Sequence, residues 1–206
     1  MAAMPRVSED HLERRRRQIL DAARACFIRK GVHDTSMQDI FAESGLSAGA
    51  VYRYFKSKNE LIKANIETVA GDLQAFFREL AHSEPLVPMD EVVERLALKI
   101  VSLSGENGPL RLAPEAWALG MHDPEISGYI ADNITHIRET WTHYMGRLVD
   151  AGLLPPDTDT AATGKTLFAI VPGFLLQRLI VGDVSPDELR RGMRALTRDS
   201  VLTAGT

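Results

Sequence analysis

The chain has 206 residues, enough for one large or two modest domains, and 45% of them are hydrophobic, which supplies a real core. A single cysteine, Cys26, excludes an intramolecular disulfide and fits a reducing cytoplasm. The net charge of −4 is unevenly spread: residues 1–63 carry 12 basic and 8 acidic side chains, whereas residues 64–206 carry 12 and 20. A basic head on an acidic body is the expected electrostatic footprint for local DNA contact.

At the N-terminus no apolar run follows the charges, so no signal peptide is expected. The most apolar window, Leu167 to Val181, is broken by Pro172, Gly173, Gln177 and Arg178 and is too short to span a bilayer, which predicts no membrane partner and a cytoplasmic location. The first helix carries the basic run Arg14 to Arg17, suited to phosphate or minor-groove contact, and an apolar face of Ile19, Ala22, Ala23, Cys26 and Phe27. Cys26 lies on that face, so packing rather than redox sensing is its expected role.

Thr35 and Gln38 have the spacing of a capping box that opens a second helix, with Met37, Ile40 and Phe41 facing inward. Gly45 follows where the chain needs a left-handed backbone angle, and Leu46 plugs the angle between helices. Ser47 caps a short third helix, Ala48 to Phe55, which starts with small residues (Ala48, Gly49, Ala50). Small residues let a helix N-terminus approach a phosphate or a base edge closely, where its dipole favours an anion. Tyr52, Arg53 and Tyr54 add hydroxyl and guanidinium donors. Ser57 and Glu60 form a second capping box, opening a fourth helix whose first turn carries Lys58. Two short helices around a glycine turn, followed by a capped helix, have the layout of a helix-turn-helix.

The string GLSAGAVYRYFKSKNEL, the upstream DTSMQDI and the basic first helix together resemble the N-terminal domain of the tetracycline-repressor (TetR) family of bacterial transcription regulators. The close match covers roughly residues 14 to 63; beyond it the likeness lies in length, helical layout and an alanine–tryptophan stretch before an Asp-Pro-Glu helix start. The resemblance implies that Thr35, Ser47, Tyr52 and Lys58 hold phosphates of a double-stranded DNA operator, with Ser36, and Arg17 of the basic run, as further DNA-binding residues. It sets Ala48, Gly49, Arg53 and Tyr54 near base edges. Because Ala48 and Gly49 have no side-chain donors, direct readout falls mostly on Arg53 and Tyr54, with DNA shape contributing.

Helical periodicity dominates the rest, and strand signals are nearly absent. The expected fold class is all-α, with about nine helices in an N-terminal helix-turn-helix domain (8–63) and a C-terminal ligand-binding and dimerisation domain (64–206). The fourth helix runs from about Ser57 to Leu80 and links head to body. A fifth spans about Met89 to Leu103, a sixth Leu110 to Gly120, and a seventh opens at Asp123-Pro124-Glu125. The eighth, about Thr158 to Val181, is apolar on more than one face, and Ser185-Pro186-Asp187-Glu188 caps the ninth. Leu176, Leu179 and Ile180, with Leu189, Met193 and Leu196 of the ninth helix, are the expected homodimer face, through a four-helix bundle of helices eight and nine from each chain. Two-fold symmetry would set two recognition helices one DNA turn apart on a near-palindrome.

Pro172 inside the eighth helix predicts a kink that frees the Phe168 carbonyl, either for a ligand or simply to shape packing. The resemblance implies a cavity for a small-molecule effector, with lining drawn from Phe76, Phe77, Leu96, Ile100, Trp117, Ile137, Trp141, Tyr144, Phe168 and Phe174; the same aromatics suit a plain core. Arg111, Glu115, His136 and Arg138 would orient the ligand. His136, Glu139 and His143 share a helix face, but no cysteine or second histidine-rich segment supports a metal site. Neither a catalytic residue nor a cofactor fingerprint is present. An all-α enzyme and a purely protein-binding adaptor are the alternatives. Repressor or activator is decided by where the operator lies, which is not written in the protein.

Overall fold

The computed structural model describes residues 9–198. The outer limits of the two expected domains, residues 8 and 206, lie outside the described residues, as does the extreme N-terminus read for a signal peptide. Within the described residues the chain is all-α. Helix α1 covers Glu9–Lys30, α2 Met37–Ser44, α3 Ala48–Tyr54, α4 Lys58–Ala81 and α5 Met89–Leu103. A 3-10 turn over Pro109–Leu112 leads into α6 (Ala113–Gly120), followed by α7 (Pro124–Asp150), α8 (Thr160–Ile180) and α9 (Pro186–Arg198). No helix among the described residues is long and apolar enough to cross a membrane.

Local chemistry sets the boundaries. Ser47 Oγ accepts from Ala50 N at 3.3 Å and Ser57 Oγ from Glu60 N at 3.2 Å. Asp123 Oδ1 accepts from Glu125 N and Ile126 N, and Ser185 Oγ from Glu188 N. Gly45 adopts φ 66° and ψ 20°, the left-handed turn that separates α2 from α3. One cap differs from the sequence expectation. Ser36, not Thr35, caps α2: its hydroxyl accepts from Asp39 N at 3.2 Å and Asp39 Oδ2 accepts from Ser36 N at 2.9 Å.

Three apolar clusters form the interior. The first joins Ile19, Ala23, Cys26 and Phe27 of α1 to Ile40, Val51, Phe55 and Leu61, and it also takes in Leu112 and Ile126 from the body. The second gathers Phe77, Val93, Leu96, Trp141, Tyr144, Leu167 and Met193. The third holds Ala97, Ile100, Leu110, Phe174 and Leu175. Helix α7 packs along α8 and α5 along α9. Burial raises the pKa of the Cys26 thiol, which suits a packing residue.

Helix α9 is fastened to α5 by charge. Asp90 Oδ2 accepts from Arg190 Nε at 3.0 Å and from Arg194 Nη2 at 2.7 Å, and Glu94 accepts from Arg190 Nη1 at 2.8 Å. Burial alone would push the Asp90 carboxyl up, but the two guanidinium groups outweigh it and hold the pKa below the ordinary value. A carboxyl depressed in the fold stabilises it above the unfolded pKa of about 4, and that contribution is lost as pH falls through the folded value. Asp90→Asn is therefore expected to cost about 1–3 kcal/mol at neutral pH and to flatten the acid limb of stability. Denaturant midpoints measured from pH 7 to pH 3 check both.

Candidate functional site

Helix α3 is seated by Val51, fully buried, and capped by Ser47, leaving Ser47, Ala48, Gly49, Tyr52 and Arg53 on the outside. Tyr52 is 41% exposed and held edge-on against Phe41, with ring centroids 5.4 Å apart. Arg53 is exposed and has no hydrogen-bond or ion-pair partner among the described residues, so its guanidinium faces outward uncommitted. Ser36 and Arg17 are also exposed, Arg17 with only a loose 3.6 Å pair to Glu13. Of the neighbouring arginines, Arg16 lies over the Phe55 ring and Arg15 donates to Gln18, which itself donates to the Ser44 carbonyl. The basic run is thus partly a brace for the helix-turn-helix.

Three head residues stand differently from the expectation. Thr35 is 1% exposed and its hydroxyl donates to the Gly31 carbonyl at 2.8 Å, so that hydroxyl is turned inward rather than toward a phosphate. Lys58 directs its ammonium to the carbonyls of Val32, His33 and Thr35 at 2.9, 3.1 and 3.0 Å, closing the α1–α2 connection instead of reaching out. Three donors meet three acceptors, and none remains for a phosphate. Tyr54 is half-buried against the head core.

The body, together with part of the head, lines a partly open cavity of about 180 Å³. Phe77, Leu96, Ile100, Trp117, Ile137, Trp141 and Phe168 line it as expected, and Pro172 does too. Four expected residues do not. Phe76 lies under Lys99, 5.7 Å from its ring centroid; Arg111 is exposed. Tyr144 is buried elsewhere and donates to the Val87 carbonyl at 2.6 Å, burial raising its phenol pKa; Phe174 fills the third cluster. The ninth helix also corrects an expectation: Met193 is 7% exposed in the second cluster and Leu189 packs against the second and third, both within the subunit. Leu176 and Leu179 are half-buried, while Ile180 is 78% and Leu196 75% exposed.

Unforeseen in the lining are Asn65 and Asn133, and the head residues Phe27 and Val32. The apolar face of the first helix carried a signal for Phe27; nothing local marked the other three. Ile62, Asn65, Ile66, Val69, Ala70, Leu73 and Phe77 line the cavity from α4, about 22 Å of helix at 1.5 Å per residue. From α6, Ala113, Ala116 and Trp117 close another wall. Glu115 between them accepts from Val32 N at 2.6 Å. Below, Asn59 donates to Asp123 at 3.1 Å and Lys63 pairs with Glu125, tying the start of α4 to the start of α7.

His136, Glu139 and His143 do not converge: His136 Nδ1 meets the Asp132 carbonyl at 2.7 Å and His143 stacks on His82 at 4.3 Å. Among the described residues no group of three His, Cys, Asp or Glu side chains is arranged to hold a metal ion.

A helix-turn-helix head joined through one long helix to a hollow helical body defines a class of DNA-binding regulators. Residues 19–64 match the family model for bacterial regulatory proteins of the tetR family, and residues 89–202 match that for the C-terminal part of BetI-type transcriptional repressors. The HTH-type transcriptional regulator UidR of Escherichia coli K12 is 31% identical over 196 residues, covering 92% of this chain and 93% of its own. SmeT of Stenotrophomonas maltophilia, the repressor of the multidrug efflux pump SmeDEF, is 26% identical in its complex with triclosan, with a TM-score of 0.72 over 93% of this chain and 91% of that one. Salmonella enterica GusR shares the fold, with a TM-score of 0.74 at 24% identity over 94% of this chain and 100% of its own. The chain belongs to the TetR family of transcriptional regulators, a family of DNA-binding regulators.

Proposed function

We propose that the chain is a homodimeric repressor that leaves a near-palindromic operator when a small molecule occupies its body. The observation that carries this reading is one cavity that the linking helix α4 and the head residues Phe27 and Val32 line together with α5, α6, α7 and α8 of the body. A ligand that fits the cavity better with α4 at another angle shifts the population away from the operator-binding state; equal affinity for both states would shift nothing. SmeT, solved with triclosan, supports the idea that a body of this fold takes a small organic molecule.

Operator contact falls to Ser47, Ala48, Gly49, Tyr52 and Arg53, flanked by Ser36 and Arg17. Subunits meet through the outer faces of α8 and α9, which expose Ile180 and Leu196 and also the small residues Ala169, Gly192 and Ala195. Leu176 and Leu179 border that face. The head and body domains join within α4, close to residue 63. Duplexes selected from a random pool test the proposal: a dimer should retain half-sites about one helical turn apart. A chain that sediments as a monomer, or that binds every duplex alike, overturns it.

The Glu115–Val32 hydrogen bond is a direct polar tie between a cavity wall and the head. Glu115 is exposed, so solvent reduces its bond to about 1–1.5 kcal/mol, at the lower end of an allosteric coupling of about 1–3 kcal/mol. Glu115→Ala is expected to shrink the ratio of operator affinities without and with effector about five- to tenfold. Mobility-shift titrations with any compound that raises the melting temperature measure that ratio.

A further inference from the structure

The cavity wall is almost wholly apolar, and among the described residues no ionisable side chain lines it. Two charged side chains touch lining residues from behind: Glu115 holds Val32 N, and Arg138 lies 5.4 Å from the centroid of the Phe168 ring. A charged ligand would lose its hydration with no counter-charge to meet, a loss far larger than any apolar gain.

Four polar side chains interrupt the wall, those of Asn65, Asn133, Trp141 and the half-buried Trp117, and they differ in how occupied and how buried they are. Asn133 donates to the Tyr129 carbonyl and accepts from Gln74 at 3.1 Å. Asn65 donates to the Leu61 carbonyl at 2.9 Å, which fixes the amide and leaves its oxygen as an acceptor. Trp141 is 0% exposed, and its Nε1–H is the one fully buried side-chain nitrogen or oxygen without a partner among the described residues. Buried indole N–H groups normally find an acceptor, and leaving one unmet is costly.

We infer that the effector is a compact, uncharged and mostly apolar ring compound carrying a carbonyl or ether oxygen, which accepts the hydrogen bond of Trp141 Nε1–H. This inference rests on the ligand-responsive reading above and gives its ligand a chemistry. The volume sets the scale: about 180 Å³ lies below the roughly 300–1,000 Å³ of drug-sized sites and near the roughly 150 Å³ of an apolar cavity that takes up benzene. Phe168 and Pro172 line the same wall, so the helix turn that lacks its usual hydrogen bond at Pro172 borders the ligand space without supplying a charge.

Four probes of matched size separate the chemistries: acetophenone, its hydrocarbon isostere α-methylstyrene, benzoate and benzamidinium. Trp117 and Trp141, the only two tryptophans of the chain, both line the cavity, so their fluorescence and the melting temperature report binding independently. Both neutral probes should bind, acetophenone about 2- to 12-fold tighter, the ratio expected from one net hydrogen bond. The charged probes should not bind. Trp141→Phe should bring acetophenone to the level of α-methylstyrene and leave the hydrocarbon nearly unchanged. Ala70→Leu, which fills the cavity from α4, should abolish both and guards against a Trp141→Phe variant that does not fold.

Binding of a charged probe at comparable strength overturns the inference. So does an unchanged ratio in folded Trp141→Phe, or a chain that takes up none of the four. If only a charged compound binds and loosens the operator, the chemistry proposed here falls while ligand responsiveness stands. If the neutral probes bind in the expected order and every compound of this class leaves operator affinity unmoved, the chemistry stands and responsiveness falls.

Discussion

Replacing Arg53 with alanine is expected to lower affinity for the selected operator by about 1–3 kcal/mol at each half-site, and a dimer counts that loss twice. The size follows from how little else α3 offers. Ala48 and Gly49 carry no side-chain donors, Tyr54 is turned toward the head core, and Tyr52 is braced against Phe41. An exposed guanidinium without an internal partner is therefore the main group able to discriminate among base edges. Binding to a scrambled duplex should fall far less, because phosphates and counterion release dominate there. Mobility shifts on both duplexes decide the matter; equal losses on the two would make Arg53 a phosphate contact instead.

Lys58→Met is expected to act on stability. The ammonium meets three carbonyls of the α1–α2 connection, and hydrogen bonds to a charged group contribute about 1.5–3 kcal/mol each when counted alone. Partial solvation and mutual dependence bring the net to about 2–4 kcal/mol, which is roughly 5–15 °C in melting temperature for a chain of this size. Operator affinity of the folded fraction should keep the parental salt dependence. A variant that melts like the parent but has a salt slope reduced by about one phosphate would return Lys58 to the DNA surface.

These two residues also mark how far local pattern carries. The caps Ser47, Ser57 and Asp123, the turn at Gly45 and the full extent of the fifth helix were legible because they depend on neighbours a few positions away. Thr35 and Ser36 carry the same capping spacing, to Gln38 and Asp39 respectively, and only the burial of Thr35 against Gly31 decides between them. The acceptors of Lys58 lie 23 to 26 residues upstream, beyond any local pattern. Leu189 and Met193 were readable as an apolar face but not as a face toward α5. A charge signal was present and unread: Asp90 and Glu94 stand four apart on the fifth helix, as Arg190 and Arg194 do on the ninth. In the cavity, aromatic size picked out Trp117, Trp141 and Phe168, yet it equally picked Tyr144 and Phe174, because bulk alone does not tell a lining residue from a filling one.

Leu112 and Ile126 belong to the innermost packing of the N-terminal helices although they come from the other half of the chain. Swapping reading heads between relatives would therefore be a graft across an interior, not across a hinge. A chimera cut at residue 63 inherits foreign side chains opposite Ile19, Phe27 and Leu61, and it should succeed only with donors whose shapes match there. Evolution of new operator preference faces the same constraint, which favours change on the outer surface of α3, where nothing in the interior has to follow.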